Sequence, residues 1–260
     1  MNMKRTAFFL YGVTGHLLFL AVYVWLGAFV GNLFVQHSVD SPAAGSVALP
    51  LAIDLGLIVL FGLQHSIMAR PAFKRVWTRI VPQPIERSTY VFASCAATAL
   101  LIWQWRPVNL IIWDVQQPVA RGLFYALFAS GLLLVPAVSL MIHHFDLFGT
   151  RQVWLYLRGR DYEPLPFRTP LFYSQVRHPL YVGWAIFFWE TPTMTAGHFL
   201  LALGMTGYML VAVVFEERDL VGHFGQQYEE YRTRVPMFIP RRGPAAPALE
   251  PEPALTIEGS

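Results

Sequence analysis

Apolar stretches alternate with polar loops along the whole chain. Residues 6–30, 49–69, 88–105 and 122–142 each come close to the roughly 20 residues a helix needs to cross a bilayer. A last apolar block, 179–215, is too long for one helix, and Thr191, Pro192, Thr193 and Gly197 interrupt it near its middle. It reads as a hairpin of two short arms, crossing the membrane fully or entering and returning. The pattern predicts an all-α fold: a polytopic transmembrane helical bundle of about five to six membrane segments, the last pair a helical hairpin. Trp103 and Trp105 close the third stretch, where an interfacial aromatic belt belongs.

Composition strengthens this reading. Of 260 residues, 55% are hydrophobic and only 13% charged, against roughly 25% charged in soluble domains. The net charge is +3, and the basic residues are interspersed with Trp and Pro rather than gathered in one stripe, so nucleic acid is not expected as a partner. Cys95 is the one cysteine, which excludes an internal disulfide, and its apolar setting makes it a small core residue. Lys4 and Arg5 precede a run too long for a signal-peptide core and without a clear cleavage site, so a retained first span is expected.

Charge then orients the segments. The stretch 31–48 holds no Lys or Arg, and 106–121 holds only Arg106 and Arg121. The stretch 70–87 holds Arg70, Lys74, Arg75, Arg79 and Arg87, and 143–178 holds Arg151, Arg158, Arg160, Arg168 and Arg177. The positive-inside rule puts these two loops and both termini in the cytoplasm. The expected organisation is an N-terminal transmembrane bundle over 1–142, a second part with the hairpin over 143–240, and a disordered Pro-, Ala- and Glu-rich tail over 241–260.

Two polar clusters flank the hairpin, Arg177-His178-Pro179 before it and Glu216-Glu217-Arg218-Asp219 after it. Pro179 suits the first turn of a helix, which places His178 at or beside the N-cap. Free N–H groups there, reinforced by Arg177 and His178, favour an anion. Adjacent carboxylates at the end of an apolar helix are costly unless paired, and Glu216 and Glu217 point about 100° apart. One can face solvent or Arg218 while the other turns toward Arg177. Taken singly, each cluster also reads as an interfacial anchor among headgroups. Together on one membrane face they describe a site for a zwitterionic, cationic cofactor. His143, His144 and Asp146 lack a second ligand set with zinc-like spacing, so no metal is expected. Asp146 reads instead as a polar group of a substrate-side cap. Gln64, His65 and Ser66 are polar at membrane depth, as site residues or as hydrogen-bonding glue. No G-x-G-x-x-G after a strand, Walker loop, H-E-x-x-H or G-x-S-x-G occurs.

The pieces R-H-P-L-Y-V-G (177–183), E-E-R-D-L (216–220), F-G-Q-Q-Y-E-E-Y (224–231) and V-P-M-F-I-P (235–240) occur in that order. This resembles the isoprenylcysteine carboxyl methyltransferase superfamily, integral membrane enzymes that use S-adenosylmethionine. Q-H-S-I-M-A-R-P-A-F-K (64–74) and H-F-D-L-F-G-T-R-Q-V-W (144–154) resemble its bacterial methanethiol S-methyltransferase branch, and also membrane proteins found near denitrification genes. The resemblance implies a bacterial inner-membrane protein, membrane lipid around it, a cytoplasmic cofactor-binding C-terminal part, and S-adenosylmethionine as methyl donor. It implies Arg177, His178, Tyr181, Gly183, Glu217, Tyr231 and Arg232 as cofactor-binding residues, with Glu216 the lesser of the two glutamates.

The implied reaction converts a small thiol, methanethiol, to dimethyl sulfide. A prenyl-cysteine carboxylate or a lipid amine is the alternative acceptor, and a denitrification-linked protein or transporter is the non-methylating alternative. A thiol is a weak nucleophile until it loses its proton. Asp146 or Glu217 are the candidate bases, His65 is the alternative, and Arg177 could hold the thiolate electrostatically.

Overall fold

The computed structural model describes residues 2–43 and 45–240. The expected 241–260 tail lies outside them. The long elements are α1 (Met3–Gly31), α2 (Ala48–Ala69), α4 (Gln83–Gln104), α5 (Pro118–Met141) and α9 (Ala196–Phe224). Shorter helices are α3 (Pro71–Trp77), α6 (His144–Leu147), α7 (Thr150–Leu157), α8 (Pro179–Trp189) and α10 (Gln226–Arg234). A 3-10 turn (Leu171–Ser174) and two strands, β1 (Ile111–Asp114) and β2 (Thr193–Thr195), complete the described elements.

Among the described residues, α1, α2, α5 and α9 are long and apolar enough to cross a membrane. The third expected segment forms α4, of comparable length, but its first turn carries Glu86 and Arg87 and its apolar character is weaker. Leu10, Leu17, Val24, Leu60, Leu63, Leu127, Leu133, Leu203, Leu210 and Val214 all face outward. A shell of this kind suits lipid, not water. The chain is an integral membrane protein.

The hairpin exists, with arms of unequal length. The first arm, α8, has 11 residues, about 16 Å of helix, which is short of a bilayer core. The second arm, α9, has 29 residues. The expectation of two similarly short arms therefore fails. The break falls at the expected Thr191–Thr193, and α9 runs on through the glutamate pair to Phe224, as expected for carboxylates that would oppose the dipole at a helix C-terminus.

Helix α8 is buried against α5 by small residues. A Cβ on Gly131 would come within 2.6 Å of the Phe187 backbone nitrogen and 2.9 Å of the Gly183 carbonyl oxygen. Close approach of backbones at small residues is a common packing mode in membranes, where hydrophobic transfer offers little drive. The core around this contact contains Phe29, Ile102, Trp105, Phe128, Phe187, Phe188 and Leu201.

The β1–β2 ribbon is antiparallel, pairing Trp113 with Met194 and Asp114 with Thr193, with an irregularity between Ile111 and Trp113. It forms at the end opposite the basic loops and was not legible as a pair of strands. Asp40 ties it down. Its carboxylate accepts from Thr195 Oγ1 at 2.6 Å, from His198 Nδ1 at 2.8 Å and from Asn32 Nδ2 at 2.7 Å. The ends of α1 and α9 and the ribbon thus share one buried anion.

Candidate active site

The hairpin turns the chain back on itself, so that residues distant in sequence meet at the basic end. Pro179 occupies the start of α8 and His178 its N-cap, as the sequence predicts. Arg177 Nε donates to Glu217 Oε1 at 2.8 Å, and His178 Nε2 lies 2.9 Å from the same oxygen. The Arg177 and Glu217 side chains are each 9% exposed and that of His178 5%. A pair this deeply buried requires its partners to be retained.

Arg177 has a second task. Its Nη1 donates to the carbonyls of Arg232 at 3.0 Å and Val235 at 2.6 Å. The backbone nitrogens of Arg177 and His178 donate to the carbonyls of Pro236 and Met237 at 2.9 and 3.2 Å. The segment after α10 is therefore fastened to the mouth of the hairpin. Tyr231 adds a bond from its hydroxyl to the Tyr173 carbonyl at 2.6 Å and packs with Phe167, Tyr228 and Val235. Burial raises the Tyr231 and Tyr173 phenols above their ordinary value, so both stay protonated.

The two adjacent glutamates do different things. Glu217 turns inward to Arg177 and His178. Glu216 accepts from the Tyr181 hydroxyl at 2.7 Å, and its side chain remains 44% exposed. The ring of Tyr181 stacks on that of His178, with centroids 5.5 Å apart. On the far side of Glu217 a cleft of about 320 Å³ is lined by Val213, Val214, Arg218, Val221, Arg232 and Met237 as well as Glu217 itself. One carboxylate, two arginines and apolar side chains at one opening suit a ligand bearing both charges and an apolar body.

Arg177, His178, Tyr181, Glu217, Tyr231 and Arg232 thus come together. Gly183 stands apart, because a Cβ there would meet Val135 of α5 at 3.1 Å. Asp146 belongs to another cluster, where its carboxylate accepts from Arg151 at 3.0 Å, Gln152 at 3.2 Å and Tyr162 at 3.2 Å. His144 pairs with Ser139 at 2.8 Å and with His16 at 3.1 Å. Burial foremost, and the neighbouring His16 after it, hold His144 below the usual imidazole range, so it is neutral. Among the described residues no group of three His, Cys, Asp or Glu gathers as a metal site would need.

His65 lies in α2 one helical turn inside Arg70, which pairs with Asp219 of α9 at 2.8 Å. Sequence reasoning found this histidine but missed its surroundings, namely Tyr90 and Ser94 from α4 and Tyr208 from α9. Polar rings inside apolar spans were the available signal.

No family model matches the chain, and no solved structure matches it. Curated relatives do. The methanethiol S-methyltransferase of Crocosphaera subtropica is 49% identical over 238 residues, 92% of this chain and 93% of that protein. The methanethiol S-methyltransferase of Mycobacterium tuberculosis is 47% identical over 238 residues, 92% of this chain and 98% of that protein. Nurim of Sus scrofa is 33% identical over 184 residues, 67% of this chain and 70% of that protein. On the extent and identity of these matches, with the motif residues assembled as described, the chain belongs to the methanethiol S-methyltransferase family.

Proposed function

We propose that the protein methylates methanethiol to dimethyl sulfide with S-adenosylmethionine as donor, in the bacterial inner membrane with its basic end and both termini in the cytoplasm. The observation that carries the reading is the cluster of Arg177, His178 and Glu217 beside Tyr181 and Glu216, in a chain with these relatives. When bound, S-adenosylmethionine supplies an electrophilic methyl group on a cationic sulfur.

The residues present fit such a ligand. The guanidinium groups of Arg218 and Arg232 at the cleft suit its carboxylate, and Glu216, exposed and held by Tyr181, suits its positive charge. Arg177, His178 and Glu217 hold together the start of α8, the turn of α9 that carries Glu217 and the segment after α10. Tyr231 closes that segment over the cluster. The thiol must lose its proton, and Asp146, Glu217 and His65 are the acceptors the sequence offers. A site screened from water strengthens charge–charge attraction, and fixed orientation removes much of the remaining barrier. The volatile apolar product is free to leave through the lipid.

Headspace gas chromatography on detergent-purified protein given S-adenosylmethionine and methanethiol tests this. Dimethyl sulfide above a no-enzyme control, dependent on the donor, is the expected result. Donor binding by calorimetry without product would move the acceptor to another class. Neither binding nor product would reduce the two clusters to interfacial anchors.

A further inference from the structure

We propose that the thiol occupies a chamber between α2, α4 and α9 walled by Phe61, His65, Tyr90 and Tyr208, that Nε2 of His65 accepts its proton, and that the two tyrosine rings set the largest thiol that fits. The inference rests on the methyltransferase reading and names the acceptor subsite of that same site.

The chamber is built from rings. Phe61 stacks on His65 with centroids 5.3 Å apart and an interplanar angle of 25°. Tyr90 stands 5.2 Å from the His65 ring, and Tyr208 stands edge-on to it at 6.3 Å and 88°. Ser94 Oγ lies 3.3 Å from His65 Nδ1 and accepts from Gln64 Nε2 at 3.4 Å. Ser66 Oγ donates to the Tyr208 hydroxyl at 3.5 Å. Polar groups at this depth are costly unless they pair or serve a ligand. Most of those here pair, but Gln64 Oε1 is buried without a partner, and among the described residues Nε2 of His65 makes no hydrogen bond. His65, Tyr90 and Tyr208, though walled in by three helices, each keep part of their surface open. Nε2 of His65 is not among the sealed polar atoms, so a small thiol can reach it beside the packed rings.

The chamber adjoins the polar cluster. Tyr208 precedes Glu216 on α9 by about two turns, and Glu216 accepts from the Tyr181 hydroxyl at 2.7 Å. The other candidate acceptors are occupied. Glu217 Oε1 is shared by Arg177 and His178, and Asp146 is held by Arg151, Gln152 and Tyr162.

A neutral imidazole carries one donor and one acceptor nitrogen. In the tautomer in which Nδ1–H donates to Ser94 Oγ, Nε2 is the acceptor. The S–H bond breaks with its electron pair staying on sulfur, the proton bonds to Nε2, and imidazole becomes imidazolium. The thiolate pair is then free to form the new sulfur–carbon bond, and the imidazolium returns its proton to water after turnover. Aromatic walls give a small alkyl group apolar contact but leave no room for a long one. A single methylene in such a pocket changes specificity by about 10- to 200-fold.

The test is the ratio of kcat/KM for 1-butanethiol to that for methanethiol, together with histidine NMR. Tyr208→Ala is expected to raise the ratio by at least about tenfold, whereas Tyr208→Phe, which keeps the ring, leaves it unchanged. Gly62→Ala should lower the corresponding ratio for ethanethiol, because the new Cβ would fall 2.9 Å from Tyr208 Cδ2 and push the ring inward. The NMR readout needs no donor and no turnover. In full-length protein labelled with ¹³C at histidine Cε1, the signal lost in His65→Gln should move on adding methanethiol. In Tyr208→Ala it should also move on adding 1-butanethiol. A ratio unchanged within about twofold in a folded Tyr208→Ala protein, where tenfold is expected, overturns the chamber as the size gate. A His65 signal indifferent to methanethiol, in protein that forms dimethyl sulfide, overturns His65 as the acceptor and leaves the methyltransferase reading standing.

Discussion

The Arg177–Glu217 pair lends itself to a double-mutant cycle. Each side chain is 9% exposed and the pair is 2.8 Å apart. Removing one member of a buried pair costs about 3–5 kcal/mol, because the other charge is left without compensation. In Glu217→Gln, Arg177 keeps the carbonyls of Arg232 and Val235, so about 3 kcal/mol is expected. In Arg177→Met those carbonyls lose their donor and Glu217 keeps only His178, so about 5 kcal/mol is expected. The double variant leaves neither charge stranded and should cost about 5 rather than about 8 kcal/mol, a coupling of about 3 kcal/mol. Reversible unfolding in mixed micelles with increasing denaturing detergent, followed by the fluorescence of Trp184 and Trp189 on α8, measures all four proteins. Additivity within about 0.5 kcal/mol would refute the claim that these two residues compensate each other in a buried site.

Other outcomes follow from single contacts. Asp40 is buried, which raises its carboxyl, but hydrogen bonds and charge from His198, with Thr195 and Asn32, outweigh this and hold it below the ordinary value. Its contribution to stability is therefore full above the unfolded value of about 3.9 and is lost as pH falls through the lower folded value. Asp40→Asn should accordingly be less stable than the parent at pH ~7, with the gap closing toward pH ~3, as thermal unfolding at the two pH values would show. Gly131→Ala places a Cβ 2.6 Å from the Phe187 nitrogen, which forces α5 and α8 apart. A loss of about 1–3 kcal/mol is expected, visible as a lower Tm. Tyr231→Phe removes the bond to the Tyr173 carbonyl, worth about 1 kcal/mol, and hydrogen exchange should quicken over 225–240 while α1 and α5 are unaffected.

The outline of the molecule was legible because it is local. Runs of apolar residues become helices in lipid, since a backbone there must satisfy its own hydrogen bonds. Pro179 begins α8 because proline loses nothing at a first turn. The approach of Arg177 and His178 to the glutamate pair followed from the hairpin alone. The lengths of its arms did not, since α9 is held by tertiary contacts: Asp40 at Thr195 and His198 at its start, and Arg177 at Glu217, about two turns before its end.

The sequence by itself determined a membrane bundle, the polar groups available to a site and the end of the molecule where they gather. Composition and chain order carry that information directly. Only the tertiary structure decided that Glu217 fastens the helices while Glu216 stays open, that Asp146 and Gly183 stand away from the cluster, and that His65 meets Tyr90 and Tyr208. Each of these depends on how neighbouring helices are rotated and how closely they approach. A turn of 100° per residue sends adjacent side chains to different neighbours, and which neighbours those are is settled by packing between segments far apart in the chain.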